Sequence, residues 1–203
     1  MTTIIAAIIM VIDHVGCLLF PDVLWLRMIG RLSFPLFAYG IARGVAHTSN
    51  FGKYFLRILI AAVISQPIYS MVFGAGYGGN PLFTLAWGAL VLFLWQKEHT
   101  ATKLLALALM CVSVWVNISY GWYGVCTIFV FGIYKMRKDI CFIGQALLQV
   151  LYIWQVGAMI QVLSLLAFPL AAIEKRILFP KYFFYVFYPV HLLAIWAIGQ
   201  SML

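Results

Sequence analysis

Asp13 and His14 are neighbours inside an apolar stretch that runs from Thr3 to Phe20. An ionisable side chain in a membrane helix costs roughly 2.5 to 3.5 kcal/mol on insertion scales, so such groups are kept for chemistry, transport or pairing. Arg27 and Arg31 follow in the next apolar run. Being four apart they share one helix face, whereas adjacent residues such as Asp13 and His14 point about 100° apart. That divergence argues against a simple dyad in which the aspartate orients the histidine. It predicts that one of the pair meets an arginine of the second helix while the other faces a cavity. The expected partner is Arg31, in an ion pair with Asp13 that also fixes helix packing, and Arg27 is expected to snorkel to the outer interface. The segment Tyr188-Pro189-Val190-His191-Leu192 puts a second histidine near mid-membrane in the last helix, one turn after carbonyls freed by Pro189. His191 reads either as a hydrogen-bonded packing residue or as a second functional imidazole. His47 and His99 lie among loop charges and read as solvated.

Weaker candidates surround this group. Ser65-Gln66-Pro67 is a polar patch ahead of a proline kink, suited to lining a cavity or to bonding a neighbouring helix. The segments 76–80, ending in Asn80, and Tyr120-Gly121-Trp122-Tyr123-Gly124 are uncharged polar and aromatic loops. They could receive an acceptor or belong to the aromatic belt. Arg57 reads as snorkelling at a helix end or as a phosphate contact. Cys17, Cys111, Cys126 and Cys141 form no CxxC pair and all sit in apolar stretches, so neither a disulfide nor a metal site is expected.

The elements that must position these residues are membrane helices. With 66% hydrophobic and 9% charged residues and a mean hydropathy of +1.05, the chain is excluded from the soluble globular class. It reads as an all-α polytopic membrane protein, a single transmembrane domain over 1–203, with no cleaved signal peptide. Apolar runs broken by Pro, Gly or charge predict helices near 2–20, 24–46, 54–74, 82–96, 103–117, 120–134, 140–155, 157–173 and 182–200. The stretch from Ile140 to Ile173 could be one overlong helix or two turning near Gly157. Charge decides for two. Basic residues cluster at Arg43/Lys53/Arg57, Lys97/Lys103, Lys135/Arg137/Lys138 and Lys175/Arg176/Lys181, while the connections near Pro21, Tyr77, Tyr120 and Gly157 carry none. Every second connection is basic, and the positive-inside rule then gives about nine transmembrane helices with a cytoplasmic N-terminus and an external C-terminus. The net charge of +8 serves orientation and contact with anionic membrane lipid, or attracts a polyanionic cytosolic cofactor. Nucleic acid is not an expected partner, because there is no basic helix or soluble domain to hold it. No fixed-period repeat or inverted pair of broken helices is visible.

Five segments in order resemble the TraX family nearly end to end: Ile12-Asp13-His14-Val15-Gly16; Ile29-Gly30-Arg31-Leu32-Ser33-Phe34-Pro35-Leu36-Phe37-Ala38; Ile64-Ser65-Gln66-Pro67-Ile68-Tyr69; Asn80 with Phe83-Thr84-Leu85; and Tyr188-Pro189-Val190-His191-Leu192. The resemblance implies an acetyltransferase of the bacterial cytoplasmic (inner) membrane. It would move acetyl from cytosolic acetyl-CoA to an exported acceptor: a peptide amine such as that of pilin, a glycan or a lipid. Acyl transfer needs a base for the acceptor's proton and positive charge or hydrogen-bond donors for the developing oxyanion. On that basis His14 is the expected base, Asp13 and Arg31 the pair that positions it, and His191 a second base or oxyanion donor. Arg57, Lys53, Lys135, Arg137 and Lys138 are expected to receive coenzyme A, and Ser65, Gln66, Asn80, Tyr120 and Arg27 to line the acceptor's path. No nucleophile-elbow serine is present, so direct transfer and a transient acetyl-histidine both remain open. The rival readings are a proton-coupled transporter, built from the same mid-membrane Asp, Arg and His, and a non-catalytic assembly subunit.

Overall fold

The computed structural model describes residues 2–134, 136–171 and 182–202. Among the described residues the secondary structure is helical apart from one isolated bridge, Gly79 to Ile118. The helices are α1 (Thr2–Leu18), α2 (Leu24–Gly30), α3 (Ser33–His47), α4 (Phe51–Phe73), α5 (Pro81–Trp95), α6 (Thr100–Val112), α7 (Gly121–Phe131), α8 (Lys138–Val156), α9 (Ala167–Ala171) and α10 (Phe183–Ser201). A 3-10 segment, Met159–Leu166, leads into α9. Three helices, α4, α8 and α10, are long and apolar enough to cross a membrane. The outward face of α8 carries Phe142, Ile143, Leu147, Val150, Leu151 and Trp154, a side-chain set fit for lipid and not for water. With these helices the chain has the character of a membrane protein. Other helices are short: α7 has 11 residues, about 16 Å of rise against a hydrocarbon core of about 30 Å.

The second helix expected over 24–46 is broken into α2 and α3. Pro35 explains the break. Its ring clashes with the carbonyl four residues back, that of Arg31, and it supplies no N–H there, which weakens the helix at that point. In the first turn of α3 the missing N–H costs little. Ser33, beside it, donates its hydroxyl to the Ala6 carbonyl of α1 at 3.0 Å, which locks the restarted helix to its neighbour. The expected turn near Gly157 is present: this glycine ends α8 at φ 73°, and Met159–Leu166 packs back along α8. Its 3-10 winding is a departure from the α-helix expected over 157–173.

α3 is the central element, with Leu36, Ala38, Tyr39 and Ala42 almost wholly buried against α1, α5, α7 and α9. Small residues permit the close approaches. Gly88 of α5 admits Ile128 of α7, and Gly124 of α7 admits Phe34 and Thr84. The ends of the bundle differ in charge. The end of α3, the start of α4 and the end of α5 converge through Val45, Asn50, Phe51 and Lys97. Arg43 lies over Tyr39, Lys138 over Tyr134, and the two tyrosine rings are 5.0 Å apart, so the start of α8 joins the same end. At the opposite end the segments 74–80 and 113–120 carry no charged residue, and there Gly79 donates to Asn117 at 2.9 Å and accepts from Ser119 at 2.7 Å. Among the described residues, the basic connections therefore share an end. Lys135, Lys175, Arg176 and Lys181 lie outside the described residues.

Candidate functional site

Asp13 is held by the hairpin of α1 and α2. Gly16 faces Leu26 and Gly30 faces Asp13 so closely that a Cβ on either glycine would overlap its neighbour. This contact sets Asp13 level with the turn of α2 that carries Arg27. Arg27 Nη1 sits 2.8 Å from Asp13 Oδ1 and donates to the Asp13 backbone carbonyl at 3.1 Å, with the two side chains 25% and 14% exposed. The ion pair expected with Arg31 is thus made by Arg27, which does not snorkel away. Arg31 stands at the C-cap of α2, in the turn before α3, and donates instead to Gln161 at 3.4 Å.

His14 meets His191. Nδ1 of His14 is 2.8 Å from Nε2 of His191, and the rings lie 5.0 Å apart and 17° from parallel. Nδ1 of His191 is 2.9 Å from the Phe187 carbonyl. A carbonyl oxygen only accepts, so in the neutral pair Nδ1 of His191 carries a proton and its Nε2 accepts from Nδ1–H of His14. That order, assigned from the hydrogen-bond network, leaves Nε2 of His14 as the nitrogen with the free lone pair. It also occupies both nitrogens of His191. The second histidine is therefore placed to orient the first.

His14 and Asp13 border a cavity of about 210 Å³ enclosed by α1, α3, α4, α5 and α10. Its wall reaches from Thr3 to His14 along α1, about 16 Å of helix at 1.5 Å per residue. Tyr54, Ile58 and Tyr185 line it toward Thr3, and Tyr120 and Tyr188 toward His14. Tyr120 stacks on Phe34 at 3.9 Å in a left-handed backbone conformation, φ 65°. The cavity thus extends from the basic end of the bundle to the histidine pair.

The other expected site residues divide. Arg57 approaches Tyr54 and Tyr185, both in the cavity wall, and its Nε is buried with no hydrogen-bond partner among the described residues. Lys53 and Lys138 are exposed at the same end. Arg137 is already engaged, forking onto Asp139 at 2.9 and 3.2 Å. Gln66 and Asn80 are built into the loop: Gln66 donates to Gly78 and Ser70 and accepts from Asn80, while the buried Asn80 caps α5 and donates to Ala62. Ser65 is buried on the same helix, its hydroxyl without a partner among the described residues. None of these three borders the cavity.

Sequence reasoning missed a second polar cluster. Gln145, Gln149 and Gln161 are buried and each lies within hydrogen-bond distance of the Tyr123 hydroxyl, and Gln149 also bonds Ser164. Two glutamines four apart in an apolar run were the readable signal, since they share a helix face. On the other side the 3-10 winding stacks Gln161 over Ser164, three residues on. Through Gln161 this cluster steadies Arg31.

Comparison with known proteins gives the family. A family model described as TraX protein matches residues 1–199, and the chain belongs to that family. It is 28% identical to a probable fimbrial assembly protein FimC, serogroup H1, of Dichelobacter nodosus, over 93% of this chain and 90% of that protein. It is 30% identical to Protein TraX of Escherichia coli K12 over 60% of this chain. It is 26% identical to an uncharacterized protein of Rickettsia prowazekii over 58% of this chain. These last two alignments each span 48% of the relative's own length. No solved structure matches.

Proposed function

We propose that this TraX-family protein is a membrane acetyltransferase, which takes acetyl groups from acetyl-CoA at the basic face and passes them to an acceptor at the His14–His191 pair. The observation that carries the reading is the cavity, which joins the basic end of the bundle to an imidazole whose tautomer is set by a relay. In this reading the basic face is cytoplasmic, the N-terminus lies inside, and the membrane is the bacterial inner membrane. A polyanionic nucleotide needs cationic partners. Arg57, with an unbonded buried Nε beside the cavity wall, is the foremost, supported by exposed Lys53 and Lys138. The span of about 16 Å suits an extended pantetheine arm.

At the other end His14 supplies the base. Its Nε2 takes the acceptor's proton, or takes the acetyl group itself in a two-step variant, while His191 holds the ring through Nδ1. Asp13 is neutralised by Arg27 and supports the fold of the site. The name of the Dichelobacter relative favours a fimbrial or pilus subunit as acceptor, with glycans and lipids the other candidates.

The test supplies radiolabelled acetyl-CoA to membranes holding the protein. Its substrates are then sought by mass spectrometry of exported peptides, glycans and lipids with and without the gene. An acetyl mass difference in one class is the expected result. Proton-dependent solute uptake with no acetyl turnover would replace this reading with the transporter.

A further inference from the structure

Acyl transfer at this site needs a hydrogen-bond donor for the carbonyl oxygen of the acyl group, because charge builds there as the acceptor attacks. The residues first suited to that task are engaged elsewhere. Both nitrogens of His191 are bonded, to His14 and to Phe187. Arg27 is paired with Asp13, and Arg31 is turned to Gln161. Tyr188 is different. It sits on α10 three residues before His191, with its ring edge-on to that imidazole at 5.7 Å, and it borders the same cavity as His14. It is only 4% exposed, and its hydroxyl has no hydrogen-bond partner among the described residues. A buried unbonded hydroxyl costs about 1 to 3 kcal/mol relative to one that is satisfied. Phenylalanine would fill the same space without that cost. The arrangement makes sense when the cavity's occupant accepts the bond.

On the acetyltransferase reading, on which this rests, we infer that Tyr188 is a further catalytic residue, donating its phenolic hydrogen bond to the carbonyl oxygen of the acetyl thioester. The acceptor's N–H or O–H gives its proton to Nε2 of His14 as its lone pair attacks the carbonyl carbon. The carbonyl π electrons move to oxygen, where the Tyr188 O–H holds the developing charge. As C=O re-forms, the C–S bond breaks and its electron pair leaves on sulfur. The thiolate takes the proton from His14, giving acetylated acceptor and free coenzyme A thiol, with His14 and Tyr188 as they began.

The experiment compares the parent with Tyr188→Phe in lipid nanodiscs or membranes. It measures release of coenzyme A from radiolabelled acetyl-CoA, and separately the binding of coenzyme A, which has no acyl carbonyl. Loss of one oxyanion donor predicts a fall in kcat of about 10²- to 10³-fold. Coenzyme A affinity and thermal midpoint should hold, because the ring contacts are kept. Parental turnover in Tyr188→Phe overturns the inference alone. A fall in turnover matched by equal loss of coenzyme A binding also overturns it, in favour of a packing role. No acetyl turnover by the parent overturns the acetyltransferase reading instead. A fluorinated tyrosine at 188 keeps the test open if Tyr188→Phe fails to fold: it retains the donor and should retain turnover, and loss of turnover there counts against the inference.

Discussion

Removal of either imidazole should be felt unequally, because only His14 presents a free lone pair beside the cavity while His191 is bonded at both nitrogens. We expect His14→Ala to lower acetyl turnover by about 10²- to 10⁴-fold, the usual contribution of a positioned base, and His191→Ala to lower it less. Kinetics on both variants at matched expression check this, and near-normal turnover in His14→Ala would remove the histidine from the chemistry. Asp13 should behave differently. Breaking a buried ion pair leaves an uncompensated charge and costs about 3 to 5 kcal/mol. Asp13→Ala should therefore lose thermal stability, and Asp13→Asn with Arg27→Gln should recover it without full activity; pairing the same change with Arg31→Gln should not. A Tm for Asp13→Ala equal to the parent's would discard the pair. That an arginine would meet Asp13 was legible from residue type and hydrophobic context alone. Which arginine was not, because the choice depends on where the second helix breaks.

That break is a property of the elements. Ser33-Phe34-Pro35 carries the signal, since a proline weakens a helix at the carbonyl four residues earlier, yet the apolar run around it continues without interruption. Hydropathy reads through such a proline, and correctly so at Pro67 and Pro189, which stay inside α4 and α10. The difference lies in tertiary contacts, here the seam of α1 and α2 at Gly16 and Gly30, which no periodicity encodes. Gly30→Ala puts a methyl group onto Asp13 with nowhere to move, so the hairpin must open. We expect it to destabilise by about 1 to 3 kcal/mol, typical of overpacking, and to reduce turnover as Arg27 is displaced. Thermal melts beside a surface glycine change such as Gly76→Ala, where a Cβ meets open space, make the comparison. Gln66 and Asn80 teach the converse point. Polar residues beside a proline kink looked like acceptor contacts, but helix caps and a tight loop consume the same side chains, and residue type cannot separate the two uses.

At the scale of the molecule, alternation of charge along the chain carried more than any single helix boundary. Among the described residues, the connections that carry Lys and Arg do share one end of the bundle, although several helices between them are too short for full crossings. The cavity wall links that end to His14, so in the proposed reading coenzyme A enters at the basic end and that end faces the cytoplasm. Impermeant thiol reagents acting on single cysteines, introduced at Lys97 and at Tyr77 after the four native cysteines are replaced, should label Lys97→Cys only from the cytoplasmic side and Tyr77→Cys only from outside. Arg57 then decides the route. Its charge lies beside Tyr54 and Tyr185 at the basic end of the cavity, far from the reacting atoms, so it should act on binding more than on chemistry. Arg57→Gln is expected to raise KM for acetyl-CoA about tenfold, the effect of roughly 1.4 kcal/mol of lost binding, with kcat little changed. The variant should also show a shallower dependence of KM on salt, because one charge-assisted contact is gone. If instead kcat falls and KM holds, Arg57 serves the fold of the cavity and not the nucleotide. Coenzyme A would then have to be sought at another face, with the cytoplasmic assignment of the basic end to be decided by the labelling alone.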